Sequence, residues 1–243
     1  LAGPDGSFTL PCLLAAFMSM LAVLAAWLFL PESRKLSEHG EHTRPTALWE
    51  VLRASQSRLL MLQYFFHTGS ISAVTYLFPL WVYALLDWKA REVGIVFGVV
   101  GAIMAVNQGV LMGRLVALVG ELRLLRICIS LFLAGQALAM FASGPVTMVA
   151  ALILALGGAT LCMPVMNAMT SRRGASDDRG RLLGAAATAA GVGRIAGPIL
   201  AGALLTAGGF RLAWALPLLM VAGYWAWAFS HWAEREPPVQ ASA

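Results

Sequence analysis

The stretch RGRLLGAAATAAGVGRIAGPILAG (Arg179–Gly202) decides how this chain is read. It leaves a charged loop, runs into an apolar helix of small residues, and carries Arg194 about halfway along. Gly193, Gly197, Ala201 and Gly202 allow a second helix to approach closely in lipid, where small residues make the helix contacts. Pro198 removes one backbone hydrogen bond, which a membrane helix tolerates when neighbours satisfy the freed carbonyl. An arginine at bilayer mid-depth is costly, so it is expected to face a bundle interior or an aqueous path.

The composition agrees with a lipid solvent. Hydrophobic residues make up 59% of the 243 and charged residues 12%, and mean hydropathy is +0.76. A soluble domain carries roughly twice that charge fraction, so the chain reads as an all-α, polytopic membrane protein. Seven apolar runs are long enough to span a bilayer: Leu10–Leu30, Leu59–Leu86, Val93–Met112, Leu124–Ala142, Val146–Met169, Leu182–Leu205 and Leu212–Trp232. Cys12, Cys128 and Cys162 all fall inside these runs and read as small apolar residues rather than as a disulfide framework or a metal set. No basic segment precedes the first run, so it is expected to span the membrane, and the chain is expected to be a piece of something longer.

The net charge of +5 would suit nucleic acid, but its distribution argues for topology instead. Twelve Lys/Arg fall in the loops at 31–58, 113–123 (with Arg126) and 171–181, against three (Lys89, Arg91 and Arg211) in the loops at 87–92 and 206–211. This bias predicts a cytoplasmic location for the twelve-charge side and for the C-terminus, in a cell membrane, the bacterial inner membrane being the expected one. The polar stretch 31–58 is the one long connection. Within it TALWEVLRA (Thr46–Ala54) reads either as a short interfacial helix or as a solvated linker. The organisation expected is a last helix of one bundle at 1–30, a linker at 31–58, a six-helix bundle at 59–232 and a tail at 233–243.

Ordered motifs along the chain then resemble one family. Gly113-Arg-Leu-Val-Ala-Leu-Val-Gly120-Glu121 is similar to the second copy of the cytoplasmic signature of the major facilitator superfamily, with Ala117 where the stronger copy has an aspartate. Its glycines are expected to form a tight turn, and Arg114, Glu121 and Arg123 to pair between helix ends. Leu30-Pro-Glu-Ser33, Trp88 to Gly94, Gln108 to Glu121, Gly157-Gly158 through Met163-Pro164, Asn167-Ala168-Met169, Ser171, Arg179-Gly180, Gly184 and Gly197-Pro198 resemble the sixth to eleventh helices of its tetracycline and multidrug proton-antiporter branch. The resemblance implies that this chain is the C-terminal half of a twelve-helix transporter, with the first five helices missing.

Helix spacing supplies the pathway candidates. Gln63, His67 and Ser70 fall at i, i+4, i+7 on the second span, and Thr160, Pro164 and Asn167 repeat that spacing on the fifth, beside Met163. The resemblance implies that both helices line a central cavity; interhelical bonding within the bundle is the other reading. His67 has the residue type for a proton relay, or for a neutral bond to a neighbouring helix. Gln136 and Arg194 sit at mid-depth, and Asn107 and Gln108 nearer the cytoplasmic end, where Asn107 is expected to tie helices together. All twelve acids map to loops or tails, so Arg194 is expected to find a backbone carbonyl, a lipid headgroup, a ligand or an acid in the missing half. His39 and His42 lie in a charged linker, and no metal site is expected there. Arg172, Arg173, Asp177, Asp178, Arg179 and Arg181 supply charges for a cytoplasmic gate, or simply for topology. The tryptophans at 81, 88, 225, 227 and 232 read mostly as interfacial anchors.

The resemblance implies export of a hydrophobic or amphipathic compound in exchange for protons, with two bundles rocking about a midplane cavity. Such a protein needs a small-molecule substrate, the lipid bilayer and the missing helices, and no nucleic acid. It needs no cofactor beyond the proton gradient, and no enzyme activity is expected. The titratable carboxylate that coupling requires would lie in the missing half. Two alternatives stay open: a symporter of the same fold importing a sugar or organic anion, and a truncated fragment that transports nothing.

Overall fold

The computed structural model describes residues 9–29, 55–173 and 179–230, and they are helical almost throughout. Helix α1 is Thr9–Phe29, α2 is Ser55–Leu86, α3 is Ala90–Val119, α4 is Glu121–Met140 and α5 is Pro145–Arg173. A final helical stretch, Arg179–Ala228, is broken at Gly208 and Gly209, where φ at Gly209 is 72°. We treat its two arms as α6 (179–207) and α7 (210–228). The arms fold back on one another. A Cβ placed on Gly69 would lie 3.2 Å from the Gly193 carbonyl oxygen and 3.4 Å from the Met220 side chain, so residues on both arms meet the same point of α2. Six continuous stretches thus carry seven apolar segments.

Several expected connections are shorter in the structure. The 87–92 loop reduces to Asp87–Lys89, where the Lys89 amide donates to the Glu92 carboxylate at 2.9 Å and caps α3. The break between α6 and α7 occupies two glycines rather than 206–211. The expected span Val93–Met112 runs on to Val119, and Gly113 is helical with open space around it. The turn falls on Gly120 alone, at φ 78°, a backbone region that glycine enters without steric cost. The last span ends at Ala228; Trp232, Thr46–Ala54, His39 and His42 lie outside the described residues.

Packing centres on α2. Its contacts with α6 rise together (Phe65 and Gly69 with Gly193, Gly69 and Ala73 with Gly197, Tyr76 with Gly202), so the two helices run parallel. Its contacts with α7 run the other way: Gly69 meets Met220, and the Ser70 hydroxyl donates to the Pro217 carbonyl at 3.1 Å. A Cβ on Gly193 would collide with the Phe65 carbonyl and one on Gly197 with the Gly69 carbonyl. The expected close approach is therefore real, with Pro198 half-buried and Gly202 resting on the Tyr76 ring. The antiparallel pair α4–α5 uses the same device. A Cβ on Gly158 would stand 2.6 Å from the Cys128 carbonyl oxygen, and Gly135 lies against the Ala155 backbone. Without a hydrophobic drive between helices in lipid, such backbone proximity is what holds the pairs together.

At one end of the bundle, charged groups finish the helices. Arg126 on α4 donates to the Ala228 carbonyl at 2.8 Å and lies over the Phe229 ring, satisfying a carbonyl that the end of α7 leaves open. Trp225 donates its indole N–H to Ser130 at 3.0 Å, so it ties α7 to α4. Trp81 is buried in the core rather than interfacial. Helix α1 has no buried residue.

Candidate functional site

The two polar stripes that share one spacing in the sequence have different surroundings. On α2, Gln63, His67 and Ser70 are all buried. The His67 ring stands edge-on between Phe132 of α4 and Tyr224 of α7, with centroids 5.8 and 5.6 Å away, and neither ring nitrogen has a hydrogen-bond partner. Gln136, one turn beyond Phe132 on α4, is buried with both amide atoms unpartnered, as is the Gln63 amide nitrogen. Gln63 borders a small cavity lined also by Leu60, Leu125, Met166, Met169 and Trp227. This stripe therefore faces the inside of the six-helix bundle.

The α5 stripe is arranged around a missing donor. Pro164 has no N–H, so the Thr160 carbonyl four residues earlier loses its helical bond. Gln108 of α3 supplies the replacement, donating its amide to that carbonyl at 3.4 Å. Asn107 donates to the Gly157 carbonyl at 3.0 Å and to the Thr160 hydroxyl at 3.1 Å, and the Thr160 hydroxyl donates to Gly157 at 2.9 Å. Consecutive residues on an α-helix point about 100° apart, too far for both to reach one turn of a neighbour. Here a π turn at Asn107–Leu111 underwinds α3 locally, reduces the rotation between consecutive residues and lets both amides reach α5. Asn107 thus ties helices together.

Asn167 closes the stripe toward α2. The buried Tyr64 hydroxyl donates to its Oδ1 at 2.8 Å and lies 3.0 Å from the Thr170 hydroxyl. Asn167 is exposed, so its amide N–H groups remain free to face outward. Met163 is half-buried and Thr160 buried.

Going round α2 in the chain's sense, the neighbours are α6 (at Gly69), α7 (at Ser70 and Gly69), α4 (at His67) and α5 (at Tyr64). Ser72 and Tyr76 then form an open strip between α5 and α6, with half-buried Phe65 at its edge. Because α2 and α6 are parallel, a forward turn on α6 points to the opposite flank from a forward turn on α2. Forward from Gly69 lies α7. Forward from Gly193 lies Arg194, which is exposed and turned to the open strip. This face, Phe65, Ser72 and Tyr76 with Asn167 on one flank and Arg194 on the other, sets two aromatic rings beside three polar groups, a combination that small-molecule sites use to fix orientation.

At the signature motif, Glu121 pairs with Arg172 of α5, joining the ends of α4 and α5. Both groups keep solvent contact, and such pairs contribute about 0–1 kcal/mol. Gly113, Arg114 and Arg123 are exposed. The loop 174–178 lies outside the described residues, with Asp177 and Asp178. Among the described residues no group of three or more His, Cys, Asp or Glu is placed to hold a metal.

Tyr64, Ser72 and Tyr76 are absent from the sequence-based set. Tyr64 is flagged by nothing in the spacing. The Gln108 bond does have a sequence signal: a proline inside a membrane helix announces an orphan carbonyl, and neighbouring amides are the donors available for it.

Comparisons with known proteins place this arrangement. Residues 108–243 match the family profile described as Major Facilitator Superfamily. Among solved structures, the fold is similar to that of the human organic anion transporter MFSD10 (TETRAN), with a TM-score of 0.67 at 18% sequence identity. That match covers 74% of this chain and 44% of the transporter, so the chain spans less than half of that protein's length.

Proposed function

The chain belongs to the Major Facilitator Superfamily, and from that premise we propose that it forms one bundle of a proton-coupled exporter of hydrophobic or amphipathic compounds, tetracycline-like or multidrug in range. The observation that carries the reading is the open strip of α2 between α5 and α6. It is apolar enough to accept an amphipathic body, and the half-buried Met163 at its α5 side supplies adaptable surface. A second bundle facing this strip would enclose a cavity near the midplane, and rocking of the two bundles would open it to either side.

The glycine-packed pairs α2–α6 and α4–α5 suit rigid-body motion, because close backbone contact leaves little room for sliding within the bundle. The Glu121–Arg172 pair joins helix ends inside this bundle, so it travels with it. Among the described residues no carboxylate lies on the open face. The coupling acid then belongs to the opposing bundle, and His67, sealed in the core, is left out of the proton path. The twelve-cation side, with the C-terminus, is cytoplasmic in this scheme.

The test is accumulation of tetracycline in cells making the intact transporter, with and without a protonophore. Expression should lower accumulation and the protonophore should restore it. Accumulation that rises on expression, driven by an inward proton gradient, would replace this reading with a solute importer. No change in either direction, from protein shown to be in the membrane, would overturn the export reading.

A further inference from the structure

We propose that the open face recognises amphipathic anions, with a carboxylate or sulfonate group held by Arg194 and a second acceptor of the same molecule held by the Asn167 amide. This deepens the transport reading by naming the substrate class of the same face, and it rests on that reading.

The chemistry displayed there is one-sided. The Asn167 carbonyl oxygen is already occupied by the buried Tyr64 hydroxyl, so what remains toward the open side is its pair of N–H donors. Arg194 has five N–H donors and no acceptor. Both point to ligands carrying acceptor oxygens, and the full charge of Arg194 selects anions. Placement agrees: Asn167 is level with Tyr64 and Arg194 with Gly69, five residues further along α2, so the two are offset by about 7.5 Å along the axis at 1.5 Å per residue. Phe65 lies between these two levels, and Ser72 and Tyr76 continue the same strip beyond Arg194, a partly aromatic surface for the body of such a molecule.

Internal partners do not account for Arg194. The acids among the described residues are Asp87 and Glu92 at the turn before and first turn of α3, and Glu121, which is paired with Arg172. Arg194 sits at mid-helix among Val192, Ile195 and Ile199, all exposed apolar residues. A cation there is expensive unless a compensating anion arrives, and an amphipathic anion brings its charge together with apolar surface.

The experiment measures binding of radiolabelled naphthalene-2-sulfonate and of radiolabelled tetraphenylphosphonium to the purified intact transporter, with melting temperature recorded for every variant. Wild type should bind the sulfonate in preference to the phosphonium cation. Arg194→Gln should weaken sulfonate binding about tenfold or more, as loss of a charge-assisted contact does, while Arg194→Lys retains most of it. Asn167→Asp, which replaces donors with a negative charge, should weaken it further than Asn167→Ala. The proposal is overturned if the cation binds better, if the sulfonate does not bind, or if Arg194→Gln binds it unchanged, the last being the result of a carboxylate from the opposing bundle holding Arg194. Flux in proteoliposomes separates this from the transport reading. Sulfonate bound through Arg194 with no flux of any compound defeats transport and keeps the site, whereas flux of cations indifferent to Arg194→Gln keeps transport and defeats the site.

Discussion

Two polar stripes with the same i, i+4, i+7 spacing, Gln63/His67/Ser70 on α2 and Thr160/Pro164/Asn167 on α5, differ in what faces them. The first is sealed among Phe132, Tyr224 and Met166, and all of it but Ser70 includes an amide or ring nitrogen without a partner. The second is bonded at both ends, through Asn107 and Gln108 to Thr160 and through Tyr64 to Asn167, and it reaches an open face. Polarity in a membrane helix is therefore not by itself a sign of a pathway. An amide whose oxygen is satisfied inside the bundle and whose N–H donors are free on the other side is the better sign, because the internal bond fixes which atoms are offered outward.

Substitutions in the intact protein put that contrast to work, with thermal unfolding in detergent as the measurement. Tyr64→Phe should cost the most, about 1–3 kcal/mol, since it strips the partner from the Asn167 oxygen and from the buried Thr170 hydroxyl together. A loss below that range would mean Asn167 is positioned by something else. Asn107→Leu should follow at about 1–2 kcal/mol, because two interhelical bonds go but Gly157 keeps its bond from Thr160. Gln108→Leu should cost about 1 kcal/mol in the wild type and less in a Pro164→Ala background, where residue 164 again has an N–H for the Thr160 carbonyl. Equal losses in both backgrounds would remove the proline from the explanation. His67→Phe should be the smallest, within about 1 kcal/mol of zero or stabilising, since an apolar ring of similar shape replaces one with two unsatisfied nitrogens. A large loss there would reveal a buried water bonded to the imidazole, and the contrast between the stripes would narrow.

Much of the architecture was legible in the residues. The apolar runs placed six of the seven segments within four residues of their helices, and Gly193 and Gly197 announced the contact with another helix. The unforeseen extension of α3 through Gly113 has a clear cause: a glycine with open space around it need not break a helix whose other residues favour it, and the reversal needs only the one positive φ at Gly120. The partner of Gly193 and Gly197 was not legible, nor was the role of Tyr64, because both depend on which helix stands opposite.

The sequence by itself determined that lipid is the solvent, how many times the chain turns back, and which residues share a helix face, since hydropathy and a period of 3.6 residues suffice for these. Tertiary structure alone decided that His67 looks inward and Arg194 outward. A helix's periodicity says which side chains point together, and only the neighbours packed against it say what they point at.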